Sequence, residues 1–247
     1  MIEFAGIRSD ERFIVVEHYP QRFFPKRKYI VQKVPGRSGD IILPESEDAF
    51  ENYTQPYSVF LDSKAPGLPQ ASRALAEWLL GNPGYHRLED SYDPDFYRMA
   101  YYAGGEQFVN WFNEYGQGTL TFNCAPKRFY KSGEAAIDIT TNGTKLYGPS
   151  IFRSHPIVRI KANSNGGTCT IWINHNMDSQ QEFKIQNVPA NYTVAIDTEL
   201  HKAWHGNDNY NSKVISDYEQ LYLPQECTIS WGTNVDYVQI IPRWWTI

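Results

Sequence analysis

Short runs in which apolar and polar residues alternate, cut apart by strong turn signals, constrain this chain more than any other feature. Cys169-Thr170-Ile171-Trp172-Ile173, Phe183-Lys184-Ile185 and Val194-Ala195-Ile196 are such runs, as are Cys227-Thr228-Ile229-Ser230-Trp231 and Val238-Gln239-Ile240. A two-residue period sends one row of side chains inward and the next outward, as on a half-buried antiparallel strand. Between the runs lie Asn163-Ser164-Asn165-Gly166-Gly167, Gly206-Asn207-Asp208-Asn209 and Trp231-Gly232-Thr233-Asn234, where the chain must turn. Strands spaced about 8–12 residues apart predict a sandwich or a barrel. The 17 Tyr, 13 Phe and 7 Trp point the same way, because aromatic side chains favour strands and associating surfaces.

One segment breaks this pattern. From Gln70 to Leu80 the apolar residues Ala71, Ala74, Leu75, Trp78 and Leu79 form a single stripe at helical spacing. Gly81 predicts a left-handed C-terminal cap and Pro83 prevents continuation. The stripe is expected to cover one face of an N-terminal sheet. Eleven of the 16 Asn lie in the last 112 residues, and a polar, turn-rich stretch runs from Ser132 to Gly143. The chain therefore divides into a mixed α+β domain, 1–135, and an all-β domain, 136–247.

A chain of 247 residues buries a core without disulfides or a structural metal. Apolar residues at 41% and charged residues at 21% exclude wholesale disorder, and 17 Gly with 15 Pro exclude a collagen-like composition. Charge is spread evenly. Residues 1–135 carry 15 Lys and Arg against 18 Asp and Glu, and residues 136–247 carry 8 against 10. Nucleic-acid binders show a basic surplus in at least one domain, so no nucleic-acid partner is expected. Lys26-Arg27-Lys28 reads as a solvated turn rather than a phosphate site. No apolar run reaches the ~18 residues of a membrane-spanning helix, and no membrane partner is expected. Charges at Arg8, Asp10, Glu11 and Arg12 argue against a secretory signal. Cys124, Cys169 and Cys227, odd in number and widely spaced, predict unpaired thiols in a reducing cytosol. The glycosylation sequons at Asn52, Asn142 and Asn191 then read as chance matches.

Catalytic and metal-binding patterns lead nowhere. His201 and His205 would share a face on a helix and grip one zinc. Their segment reads as extended, which sets the imidazoles about 13 Å apart at roughly 3.4 Å per residue, so a surface hairpin is expected. Glu89, Asp90, Asp93 and Asp95 could supply the carboxylate pair of a glycoside hydrolase. Pro94 and Tyr92 instead predict a turn in which carboxylates cap backbone amides. Gly36-Arg37-Ser38-Gly39 lacks the spacing of a nucleophile elbow, and neither a Walker loop nor a dinucleotide fingerprint is present. No enzyme activity, cofactor or metal is predicted. Five of the seven Trp (172, 204, 231, 244 and 245) fall in the second domain as core or interface residues, or as platforms for a sugar. Trp231 is expected in the core and Trp172 on the opposite face of its strand.

A succession of short motifs resembles a known family over nearly the whole chain. The first domain runs Tyr29-Ile30-Val31, Val34-Pro35-Gly36-Arg37-Ser38-Gly39-Asp40, Trp78-Leu79 and Gly84-Tyr85-His86-Arg87-Leu88. It continues through Asp90-Ser91-Tyr92-Asp93-Pro94-Asp95-Phe96-Tyr97-Arg98-Met99-Ala100, the stretch from Gly118 to Pro126, and Arg128-Phe129-Tyr130. The second has Asn142-Gly143-Thr144 with Pro149, Ile196-Asp197, Leu221-Tyr222-Leu223-Pro224 and Ile240-Ile241-Pro242-Arg243-Trp244-Trp245. In this order they resemble the distal tail proteins of long-tailed bacteriophages and prophages of Gram-positive hosts.

The resemblance implies a mainly β chain, with an N-terminal α+β split-barrel-like domain followed by a C-terminal galectin-like β-sandwich. It implies a homo-hexameric ring at the virion tail tip, made in the host bacterial cytoplasm. Its implied partners are the major tail (tube) protein, the tail-associated (tail tip) protein and a receptor-binding protein. The chain leaves no room for the inserted modules of larger members. Ring contacts are expected from the first domain, at Arg37 and Asp40 in the glycine-rich loop and at Tyr53 and Tyr57, with Phe23 and Phe24 nearby. The alternative is a carbohydrate-binding β-sandwich module for host-wall adhesion. Against it, His155-Pro156-Ile157-Val158-Arg159 departs from the galectin sugar pattern, and Gly232 rather than Glu follows Trp231.

Overall fold

A computed structural model describes residues 1–17, 22–46, 48–62, 67–104, 109–111, 115–174 and 177–247. The chain is mainly β. It separates into two compact units, one of Met1–Arg128 with Ile247 and the other of Phe129–Thr246.

In the first unit a sheet curls as a half-barrel. Its strands follow the order Ile7–Arg8, Ile2–Phe4, His86–Asp90, Phe96–Tyr102, Tyr115–Tyr130, Tyr53–Leu61 and Ile14–Val16. Tyr53–Leu61 shows how sequence sets the pairing. Tyr53, Gln55, Tyr57, Val59 and Leu61 point inward with strict alternation, so a one-residue slip would turn the whole row to solvent. Pro56 donates no amide, and its strand is paired with Ile14–Val16 only from Val59 onward.

The helix spans Leu68–Leu80, two residues longer at its start than the apolar stripe, with Pro69 in its first turn. Ala71, Leu75, Trp78 and Leu79 are buried with Phe4, Leu88, Leu120 and Phe122. Trp78 donates its indole N–H to the Phe4 carbonyl at 2.9 Å, which pins the helix to the first strand. The helix stops differently from the sequence expectation. Gly81 sits at φ −72°, in the right-handed region, and its amide still bonds to the Glu77 carbonyl. Termination comes from Asn82, whose side-chain amide donates to the Trp78 carbonyl at 2.7 Å, and from Pro83 behind it. Glycine is needed at 81 for space, because a Cβ there would lie 2.3 Å from the Glu77 carbonyl oxygen.

The second unit is a galectin-like sandwich. Six strands run in the order Ile137–Ile139, Val235–Ile241, Ile157–Ala162, Thr193–Asp197, Lys202–His205 and Asp208–Asn209. Four run in the order Thr144–Tyr147, Glu226–Trp231, Gly167–Ile173 and Gln181–Val188. All five alternating runs read from the sequence lie on these strands, and their inward residues make one core with Trp231 inside it. Trp172 faces away from that core and donates to Glu182 Oε2 at 2.9 Å. Trp245 is buried, stacked 4.5 Å from Phe152, with its indole N–H on the Arg153 carbonyl. The three cysteines are unpaired and buried.

Candidate assembly surface

Between the buried strands of the first unit the chain throws out an arm. Tyr29–Gln32 pairs antiparallel with Ile41–Pro44, setting Ile30 opposite Leu43 and Val31 opposite Ile42. Among the described residues these strands make a sheet of their own, with no third strand. Tyr29, Ile30, Val31, Ile42 and Leu43 are each between 53% and 58% exposed. Neighbouring residues on a strand face opposite ways, so both faces of the arm carry exposed apolar side chains. A lone two-stranded ribbon is marginally stable in water and gains most from a surface to lie on.

The base of the arm is tied down more firmly. The Lys28 amide bonds to the Ala49 carbonyl at 2.9 Å and the Glu51 amide to the Lys26 carbonyl at 2.8 Å. The Arg27 guanidinium lies 4.4 Å from the centre of the Phe50 ring. The middle of the basic triplet thus belongs to the hinge. Phe23 and Phe24, 40% and 68% exposed, precede it. At the tip the Arg37 amide closes a turn on the Val34 carbonyl at 3.2 Å, and Gly36 and Gly39 take positive φ. Arg37 and Asp40 are exposed there, one cation and one anion on the same turn.

Tyr53 and Tyr57 require a correction. Tyr57 is fully buried and Tyr53 nearly so, which removes both from any surface of the folded unit. They belong to a polar knot inside the half-barrel. Arg98 Nη2 lies 3.2 Å from Asp90 Oδ2, and Arg98 Nη1 lies 3.3 Å from both the Tyr53 hydroxyl and Gln55 Oε1. The Tyr57 hydroxyl donates to Asp90 Oδ2 at 3.0 Å, and the Tyr92 amide donates to Asp90 Oδ1 at 3.1 Å. Burial pushes the Tyr57 phenol well above its ordinary value and the Cys124 thiol up to about 12. The knot is neutral overall and hydrogen-bonded throughout, the condition under which buried charge is tolerated.

Of the other three acidic residues, Asp95 is exposed and two are ion-paired. Glu89 bonds Arg87, and Asp93 bonds Arg128. The two histidines are held apart. His201 stacks on Tyr218 at 5.4 Å, while His205 stacks on Tyr192 at 4.2 Å and places Nδ1 2.7 Å from the Thr193 carbonyl.

Sequence reasoning saw the loop but missed the arm. Tyr29-Ile30-Val31 and Ile41-Ile42-Leu43, two β-prone runs flanking a glycine-bearing turn, are a hairpin signal, and the second run went unread.

No protein-family model matches the sequence, and no curated protein is significantly similar to it. Solved structures show the fold. It is the fold of a phage distal tail protein, the hub component of an adsorption apparatus. The SPP1 Dit protein, described as a paradigm of that hub in phages infecting Gram-positive bacteria, superposes with a TM-score of 0.76 at 14% identity, over 97% of this chain and 96% of its own. Chains of the phage P2 baseplate in its activated conformation superpose with TM-scores of 0.53 (with Ca) and 0.51 (with Sr), each at 10% identity over 92% of this chain and 90% of theirs.

Proposed function

We propose that this protein is a structural component of a phage tail tip, a hub whose copies close into a hexameric ring. The ring joins the tail tube to the tail-associated protein and carries the receptor-binding apparatus, and its work is assembly rather than catalysis. The observation that carries this reading is the arm, an apolar ribbon with no core of its own on a fold shared with hub and baseplate proteins. A ring repeats one heterologous contact between neighbours, so a modest surface is used at every junction. The first unit, with the arm and the Arg37–Asp40 tip, is the part that makes that contact.

Native mass spectrometry of the full chain tests the reading, with a closed six-copy species expected. Replacing Ile30, Val31, Ile42 and Leu43 together by Ser is expected to give folded monomers. A hexamer that persists in this variant would move the ring contact elsewhere, and a monomeric wild-type chain at all concentrations would overturn the ring.

A further inference from the structure

Two Asn-Gly pairs, Asn142-Gly143 and Asn165-Gly166, lie between strands of the second unit. Asparagine is the thermolabile amide of a chain, and a following glycine, with no Cβ, leaves its nitrogen open to the Asn side-chain carbon. Both asparagines are exposed, so access to water does not tell them apart. Hydrogen bonding does. Asn142 is clamped: its Nδ2 donates to the Trp231 carbonyl at 2.8 Å and its Oδ1 accepts the Trp231 amide at 3.1 Å. The Gly143 amide is committed to the Ile229 carbonyl at 2.9 Å. Asn165 has no such clamp. Its backbone amide donates to Asn163 Oδ1 at 2.9 Å, but among the described residues its side-chain amide has no hydrogen bond. The Gly166 amide reaches the Asn163 carbonyl only at 3.3 Å, and shares it with the Asn191 amide at 3.0 Å.

We propose that Asn165 is a site of spontaneous deamidation and isomerisation in the folded protein, that Asn142 is protected from it, and that the product loosens one end of the sandwich. The Gly166 nitrogen bonds to Asn165 Cγ, the Cγ–Nδ2 bond breaks, and ammonia leaves with the former Gly166 amide proton. Water then opens the cyclic imide at either carbonyl. One opening gives aspartate. The other gives isoaspartate, whose main chain runs through the former side-chain carbons and is longer by a methylene. Closure at Asn165 needs only that a free side chain swing onto the next amide. At Asn142 both bonds to Trp231 must break first, which slows the reaction by about tenfold or more. The longer main chain falls at a hub. The Asn163 amide donates to the Asn234 carbonyl at 3.0 Å, its Nδ2 donates to the Thr233 carbonyl at 2.6 Å, and its carbonyl holds Asn191. Gly166 cannot give way, because it adopts a φ of +62° and a Cβ there would lie 2.6 Å from the Val188 carbonyl oxygen and 2.7 Å from the Ala190 nitrogen. The extra methylene is therefore taken up by the bonds of Asn163.

Ageing the full chain at mildly alkaline pH, followed by peptide mapping with tandem mass spectrometry, tests this. In the native protein the peptide carrying Asn165 should gain aspartate and isoaspartate forms about tenfold or more faster than the peptide carrying Asn142. In concentrated guanidinium chloride, where Trp231 no longer clamps Asn142, the rates should converge. Hydrogen exchange at the Asn163 and Asn191 amides should quicken in the aged chain. It should stay as in fresh protein in aged Asn165→Gln, whose longer side chain closes an imide far more slowly. Equal rates in the native chain, a faster Asn142, or an Asn165 that reacts only in denaturant would overturn the site. Unchanged exchange in the aged, isomerised chain would overturn the loosening.

Discussion

Asp197 holds Arg243 by both ends of its guanidinium, with Nη1 2.8 Å from Oδ1 and Nη2 2.7 Å from Oδ2. The same Oδ1 accepts the amides of Glu199 and Leu200 at 3.1 and 3.0 Å. One carboxylate therefore shapes the turn after the strand Thr193–Asp197 and pins the segment after Val235–Ile241, where Arg243 adopts a φ of +54°. Bidentate pairing fixes geometry as well as energy, which suits a residue held in the left-handed region.

Arg243→Ala should destabilise the second unit by about 1–3 kcal/mol, the range for charge-assisted hydrogen bonds left unmade. Arg243→Lys should recover only part of this, because a point charge cannot grip both oxygens. Chemical denaturation followed by far-UV circular dichroism measures both.

Burial alone would raise the Asp197 carboxyl, but the bonds from Arg243 and the two amides outweigh it and hold the carboxyl below its ordinary 3.8. A depressed folded value contributes stability above the unfolded value and loses it as pH falls toward the folded one. The second unit should weaken on acidification below about pH 4, and Asp197→Asn, already lacking the charge, should show a flatter acid limb. Thermal melts from pH 6 downward test the slope.

Trp78→Ala should cost about 3–5 kcal/mol, because it empties the middle of the helix stripe and strands the Phe4 carbonyl. A loss below about 1 kcal/mol in urea titration would mean that the helix does not pack as described.

Arg98→Ala should be at least as damaging to the first unit, about 3–5 kcal/mol, since Asp90 would remain charged inside the half-barrel. Asp90→Asn made on top of it should recover part of the loss in a double-mutant cycle.

The three thiols should be inert in the native protein. Burial pushes Cys124 and Cys227 up to about 12 and Cys169 up to about 11, leaving almost no thiolate at neutral pH. A thiol reagent should count none before denaturation and three after it.

Much of the fold is legible because its cause is local. Period two in Cys227–Trp231 and the apolar stripe of Ala71, Leu75 and Trp78 are written in neighbouring residues, and their partners can be anything suitably apolar. The helix end was misjudged because Gly81 suggests a left-handed cap, whereas Asn82 supplies the missing donor from outside the helix. Tyr53 and Tyr57 were misplaced for a deeper reason. Aromatics beside turn residues suit an interface as well as a core, and only the pairing of Tyr53–Leu61 with its neighbours encloses them around Arg98. The candidate assembly surface was half visible: glycines mark its tip, but exposure of Ile30 and Leu43 follows from their strands pairing only with each other among the described residues, a fact about topology that no short window contains.

The arm offers more than greasy side chains. Among the described residues the outer edge of each of its strands has no ladder to join, and a partner strand laid along it would be recognised by its main chain. Such main-chain bonds would add to the apolar contact of Ile30, Val31, Ile42 and Leu43 and set its register. The backbone share of such a contact depends on strand geometry alone, so exchange of one apolar residue for another along the ribbon leaves it in place, whereas loss of the apolar character does not.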